Sequence, residues 1–164
     1  MMKALKYIAL AAAVIVGMAS CADPGNVHFK GIEDASMGGL QTVQITAHID
    51  NQSHCNINLL HGQVTLFDRG NVVAKVVLSE KVKIPRRTDG SVAVPLTLVI
   101  PNPFALLALP GRLKNGGNDL TVSGEMTVRG GLARKTYRID PTPLPQLLSR
   151  FGIAPDALTN YLKL

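Results

Sequence analysis

The chain has 164 residues, enough for one domain with its own core and short for two. It is 46% apolar but only 4% aromatic and has no Trp, so a core has to be built from Val, Leu and Ile. Sparse charge (17%), 15 Gly and 10 Pro argue against a helical bundle or a disordered chain and suit an all-β fold with many turns, and the net charge of +6 is too modest for a nucleic-acid footprint.

Lys3 and Lys6 make a positive start, and an uncharged apolar run follows from Tyr7 to about Val16. The run is too short to span a bilayer, which takes about 20 residues, and fits the apolar region of a secretory signal. It ends on Gly17-Met18-Ala19-Ser20-Cys21, which resembles a bacterial lipobox, with Met18 where Leu is usual. The resemblance implies cleavage after Ser20 and a diacylglycerol on the Cys21 thiol; the alternatives are an ordinary signal peptide with a coincidental cysteine and an uncleaved anchor. Residues 1–20 are then a lipoprotein signal peptide, and losing Lys3 and Lys6 leaves a net charge of about +4. Cys55 is left without a partner and is read as a quiet, half-buried thiol at a strand end.

Residues 21–39 read as the lipidated Cys, a tether and a possible first strand, Val27 to Ile32, with a tether of about 15 residues and a loop at Ser36–Gly39. Leu40 to Asp50 alternates, with Val43, Ile45, Ala47 and Ile49 on one face and Thr42, Gln44, Thr46 and His48 on the other, as a half-buried strand does. Asn56–Leu60 and Gln63–Asp68 are read as strands separated by a turn or bulge at His61-Gly62. Arg69-Gly70-Asn71 is a tight turn, and Val72–Leu78 returns as the hairpin partner. Lys81–Pro85 alternates again, Arg86–Gly90 is a polar turn, and Ser91–Ile100 is a long strand. Pro95 lies inside that strand and places it at an edge or a bulge.

Beyond Pro103, the run Phe104–Leu109 predicts a short helix, apolar all round and so buried, ended by Pro110-Gly111. Leu120–Val128 and Leu132–Ile139 are strands joined at Gly130-Gly131, and Pro141, Pro143 and Pro145 end the sheet. Leu144–Phe151 carries Leu144, Leu147, Leu148 and Phe151 at helical spacing, expected to pack across an open end of the sandwich, the alternative for it and for Phe104–Leu109 being to dock a partner or the bilayer surface, and Pro155–Leu162 is a second helical stretch. No internal repeat of fixed period is visible. The sum is an all-β chain with an antiparallel immunoglobulin/fibronectin III-like β-sandwich of about seven strands over 40–140, one or two short helices, and a Pro-rich, helical segment over 141–164.

From about Leu40 to Asp140 the order of features resembles the late embryogenesis abundant group 2 family, also called the water stress and hypersensitive response (WHy) domain. Four features carry it: the strand ending Ile49-Asp50-Asn51, the hairpin Gly62–Leu78 with Phe67 and Gly70, the run Val82-Lys83-Ile84-Pro85 before Val92–Leu98, and an apolar helix before Leu120–Met126. Gln52 stands where the family usually has Pro. The resemblance implies a fibronectin-like sandwich with one helix and a role in stress or desiccation.

The chain shows no hydrolase elbow, Walker loop or dinucleotide fingerprint, so no catalytic residue and no cofactor are expected. His54, Cys55 and His61 invite a metal reading, but three residues without a fourth at a familiar spacing do not make a site, and no metal is expected. Neighbours on a strand point to opposite faces, which makes Ser53–His54 and His54–Cys55 poor nucleophile pairs. Asp50 and Asp68 are possible acids without a demonstrable partner. Two basic clusters stand out: Lys81, Lys83, Arg86 and Arg87, and Arg129, Arg134, Lys135 and Arg138. They read either as a solvated face that discourages edge pairing or as a contact for anionic lipid or an acidic partner, with Lys81, Lys83, Arg86, Arg87, Arg134 and Arg138 as the contact residues.

The leading expectation is a non-enzymatic lipoprotein of the cell envelope, held to a membrane through Cys21 and acting as a binding or stress-protective module, on the outer membrane facing the periplasm if the cell is Gram-negative. Two other functions stay open: an accessory subunit of an envelope assembly or transport complex, and a carrier of an apolar or lipid ligand lined by Phe104–Leu109 and Leu144–Phe151.

Overall fold

Alternation of apolar and polar residues sets which strand faces turn inward. The computed structural model describes residues 27–150. It has strands β1 (Val27–Met37), β2 (Thr42–Asn51), β3 (Ile57–Asp68), β4 (Asn71–Leu78), β5 (Val82–Ile84), β6 (Thr88–Val99), β7 (Leu120–Gly130) and β8 (Ala133–Pro143), and helices α1 (Pro103–Lys114) and α2 (Leu144–Arg150). Cys21, Phe151 and the Pro155–Leu162 stretch lie outside the described residues.

Strand order is β1-β2-β6-β4-β3-β7-β8, with β5 also on β3 and every pairing antiparallel. β4 pairs with Gln63–Asp68 of β3 but holds β6 through four residue pairs only, Lys75–Val99 to Leu78–Leu96. The ladder turns over at this narrow joint. Layer β1-β2-β6 then faces layer β4-β3-β7-β8, and β5 covers the Ile57–Leu59 end of β3. Val43, Ile45 and Ala47 of β2 and Val94 and Leu96 of β6 are fully buried, as are Leu59 of β3 and Met126 of β7, in one continuous core. The chain is an all-β antiparallel sandwich, with an outward polar face on each layer.

The sheet is longer than the sequence pattern implied. β1 pairs with β2 from Val27↔Asn51 to Met37↔Val43, so it belongs to the sheet and leaves five residues between Cys21 and Val27, not a tether of about 15. Leu40 is in the β1–β2 loop, 87% exposed, instead of opening β2. β3 is one strand: the expected break at His61-Gly62 is a bulge, a register shift against β7 between Leu59 and His61. The turn expected over Arg86–Gly90 closes in Arg86-Arg87, because Thr88, Asp89 and Gly90 pair with Asn51, Asp50 and Ile49. Pro95 sits in an interior strand opposite Gln44, yet the β4 ladder stops one residue short of it at Leu96, so the missing N–H costs no sheet bond on that side.

Prolines also failed to stop two elements. α1 runs through Pro110 and Gly111 to Lys114, because Leu109 and Leu113 bury in the core and Arg112 pairs with Asp68 at 3.2 Å. The helix expected to be buried all round is buried on one side only: Leu109 is in the core, with Ala105 and Leu106 partly buried against it, while Phe104 and Leu107 are 78% and 76% exposed. β8 continues through Pro141 to Pro143 as an edge strand, with a register shift between Val122 and Gly124 that accommodates the proline. α2 buries Leu144, Leu147 and Leu148 against β7 and β8. No helix among the described residues is long and apolar enough to cross a membrane.

Candidate functional site

One buried amide organises one end of the sandwich. Asn51, at the last position of β2, is fully buried. Its Nδ2 donates to the Pro85 carbonyl at 2.9 Å, with longer contacts to the Ile84 and Cys55 carbonyls at 3.4 Å. Its Oδ1 accepts from the Ser53 N–H at 3.1 Å and from Ser53 Oγ at 2.6 Å. The side chain thereby ties the β2–β3 loop to the end of β5. Two further bonds complete the tie: Arg86 N–H to Asn56 Oδ1 at 3.0 Å and Arg87 N–H to the Ser53 carbonyl at 3.3 Å.

On the outer side of this scaffold lies an open concavity of about 580 Å³. His54, Cys55 and Asn56 of the loop line it with Asn58 and Leu60 of β3, and its cations are Lys81, Arg86 and Arg129. Strand register explains how separate basic clusters meet. Asn58 pairs with Lys83 of β5 and with Arg129 of β7, and Arg129 pairs with Arg134 of β8. One transverse row across four strands therefore reads Lys83, Asn58, Arg129, Arg134. Residues directly opposite in an antiparallel pair have Cβ atoms about 5 Å apart, so Arg129 and Arg134 repel. No carboxylate lines the concavity. Among the described residues, Lys81, Lys83, Arg86, Arg87, Arg129, Arg134 and Lys135 form no ion pair, whereas Lys30, Arg69, Arg112 and Arg138 do.

Of the contact residues expected from sequence, Lys81 and Arg86 line the concavity and Lys83 and Arg134 flank it in the row. Arg87 stands at the rim, where its guanidinium donates to His54 Nδ1 at 2.8 Å. Its φ of 49° is left-handed, a conformation that costs a non-glycine residue about 1 kcal/mol. Arg138 lies elsewhere, bound to Glu125 at 2.8 Å. Arg129, seen in the sequence as part of a cluster, has the central place. Cys55 is exposed, not half-buried, because the loop held by Asn51 turns outward there. His61 is exposed on β3 and does not line the concavity.

The β7–β8 turn adds an apolar tip. Gly130 pairs with Ala133, so the turn residues are Gly131-Leu132 instead of the expected Gly130-Gly131, and Gly131 takes the φ of 59° that a two-residue hairpin needs at its first position. Leu132 is left 98% exposed, between Arg129 and Arg134.

A second polar cluster, on the outer face of β1-β2-β6, was not foreseen. His48 Nδ1 is 2.7 Å from Glu33 Oε1 and its Nε2 is 2.6 Å from Asp89 Oδ1. Ser91 Oγ donates to Glu33 Oε2, and Lys30 Nζ donates to Asp89 Oδ2 at 2.9 Å. The hydrogen bond to Glu33, then that to Asp89, raises the His48 pKa above 6.5. The Ser91 bond, then His48, lowers that of Glu33, and Lys30, then His48, lowers that of Asp89. With a carboxylate on each ring nitrogen, His48 has no free lone pair for a metal or a nucleophile. The cluster is a clip that fastens edge strand β1 to β2 and β6.

No protein-family model and no curated protein matches the chain. Among solved structures it is similar to a protein from Archaeoglobus fulgidus, with TM-score 0.41 and 13% identity over 71% of this chain and 99% of that one. It is also similar to the yeast GGA1 GAE domain, with TM-score 0.33 and 9% identity over 74% of this chain and 93% of that one.

Proposed function

We propose that the protein is a non-enzymatic, lipid-anchored module of the cell envelope whose basic end is held against the membrane that carries the anchor. The observation that supports this reading is where the chain joins the fold. Val27, first in β1, pairs with Asn51, and so lies at the same end as the concavity, six positions after Cys21. Six residue steps reach at most about 22 Å. A diacylglycerol on Cys21 would keep that end close to lipid, and seven cations without ion pairs suit an anionic surface.

The accessory-subunit reading has its own support at the far end. There Leu40, Phe104 and Leu107 are exposed together with Val99 at the end of β6, away from the anchor and open to a protein partner. The inward leucines of both helices, by contrast, fill the core.

Intact mass of protein extracted from its native membrane, beside a Cys21→Ala variant, tests the anchor. A chain beginning at Cys21 with acyl mass, lost in the variant, is the expected result; an unmodified chain overturns the reading. If the far end docks a partner, Phe104→Ser with Leu107→Ser releases a defined crosslinked protein while leaving the acyl mass intact.

A further inference from the structure

We infer that the concavity at the basic end is a binding site for the phosphate monoester of an anionic lipid headgroup, with Leu132 inserting into the interface beside it. The inference rests on the proposal that this end faces lipid, and adds to it the ligand and the residues. Lys81, Arg86 and Arg129 reach one open volume from three separate elements, the residue before β5, the β5–β6 turn and β7. The amide side chains of Asn56 and Asn58 line it between them, and no carboxylate does.

Charge count selects the ligand. A phosphodiester brings one negative charge, whereas a phosphate monoester carries about −1.5 to −2 near neutral pH and offers three acceptor oxygens. Three cations lining one concavity, with Lys83 and Arg134 flanking, are better matched by the latter, and guanidinium groups take phosphate oxygens in pairs. Fold geometry selects the lipid over free phosphate. The site lies toward the end where the chain from Cys21 arrives, and its flank carries a leucine with 98% of its surface in water, at the tip of a hairpin bearing Arg129, Arg134 and Lys135. An apolar tip ringed by cations is the arrangement that an interface between headgroups and acyl chains rewards. Arg129 and Arg134, opposed without a counter-charge, gain theirs when the headgroup binds.

The test uses the chain from residue 21 onward with Cys21→Ser, which has no acyl chain and keeps the whole of the described core. Sedimentation with vesicles of phosphatidylcholine alone, with phosphatidic acid, and with phosphatidylglycerol at matched surface charge gives the affinities. Binding to phosphatidic acid vesicles should exceed that to phosphatidylglycerol by about fivefold, with none to phosphatidylcholine. Lys81→Gln, Arg86→Gln and Arg129→Gln should each weaken it roughly fivefold. Leu132→Ser should weaken it without changing the salt dependence. Lys114→Gln removes the same charge at the opposite end and should leave affinity unchanged. Equal binding to the two anionic lipids, or an equal loss from Lys114→Gln, would overturn the pocket in favour of a diffuse field. Calorimetric binding of inorganic phosphate without vesicle binding would overturn the lipid as its source. Acylation of Cys21 without vesicle binding sinks this inference alone, and vesicle binding without acylation sinks the anchor alone.

Discussion

Asn51→Ala should be among the most damaging single changes in the molecule, although it removes no apolar surface of consequence. The amide makes three good hydrogen bonds, to the Pro85 carbonyl at 2.9 Å and from Ser53 N–H and Oγ at 3.1 and 2.6 Å, beside two long contacts. The single Ser53 hydroxyl proton is shared between Asn51 Oδ1 and the Cys55 carbonyl, so only the other two bonds are counted, at about 1 kcal/mol net each or about 2 kcal/mol together. The Ser53 N–H is then left buried without a partner, adding about 1 kcal/mol, while Ser53 Oγ keeps the Cys55 carbonyl at 2.9 Å. The expected loss is about 3 kcal/mol, or about 10 °C in Tm for a domain of this size. Urea unfolding followed by circular dichroism measures it. Asn51→Asp sharpens the test, because it keeps an acceptor for Ser53 but turns a carboxylate toward backbone carbonyls. It should be at least as damaging at pH 7 and recover partly in acid, where the protonated group donates again. A loss below about 1 kcal/mol in both variants would refute the view that this side chain holds the β2–β3 loop to β5.

The His48 clip gives a signed pH dependence. The folded pKa of His48 is above its unfolded value of 6.5, so its contribution is fully present below pH 6.5 and is lost as pH rises through the folded value. Glu33 and Asp89 are lowered from 4.5 and 3.8, and their contribution is lost on acidification below those values. Unfolding free energy should therefore peak between about pH 4.5 and 6.5 with respect to this cluster, and His48→Gln should flatten the alkaline limb; an unchanged limb would count against the clip. Pro110→Ala restores a donor to the Leu106 carbonyl and should stabilise α1 by about 1–3 kcal/mol, seen as a higher melting temperature. The Tyr137 hydroxyl is buried without a partner, so Tyr137→Phe should leave stability unchanged or raise it by up to about 1 kcal/mol in the same melts. Arg129→Thr relieves repulsion from Arg134 and should gain about 0.5 kcal/mol at low salt, with the gain shrinking as salt is added.

The architecture was legible wherever one strand face is buried. Val43 to Ile49 and Val92 to Leu98 alternate without interruption, and both fall in β2 and β6 with those faces in the core. What sequence could not weigh was how far tertiary contacts override punctuation. Pro110 and Pro141 are strong stops locally, yet burial of Leu109 and Leu113 carries the helix past one, and an edge position with a bulge tolerates the other. The basic clusters were visible as two runs some 50 residues apart. That Arg129 and Lys83 flank the same Asn58 is a fact of register, which no local pattern encodes. The same holds for Glu33, His48 and Asp89, three wet-face residues on three strands.

The distribution of the cations is more than protection of sheet edges requires. Lysines and arginines on edge strands discourage pairing with other chains, and that purpose accounts for Arg134 and Lys135 on β8. It does not account for Arg129. β7 is an interior strand, paired along its length with β3 and β8, so it has no edge to defend. Solubility would be served equally by a carboxylate there, which would also neutralise Arg134 across the ladder, as Glu125 does for Arg138 on the same strand pair. The two positions differ in place: Glu125 is four residues further from the Asn51 end, outside the concavity. Among the described residues the one ion pair between β7 and β8 is Arg138–Glu125, and the opposed Arg129 and Arg134, nearer the end where the chain from Cys21 arrives, have no counter-charge. On the proposed reading, the headgroup phosphate supplies the counter-charge that Arg129 and Arg134 lack, as Lys30 does within the fold for the opposed Asp50 and Asp89.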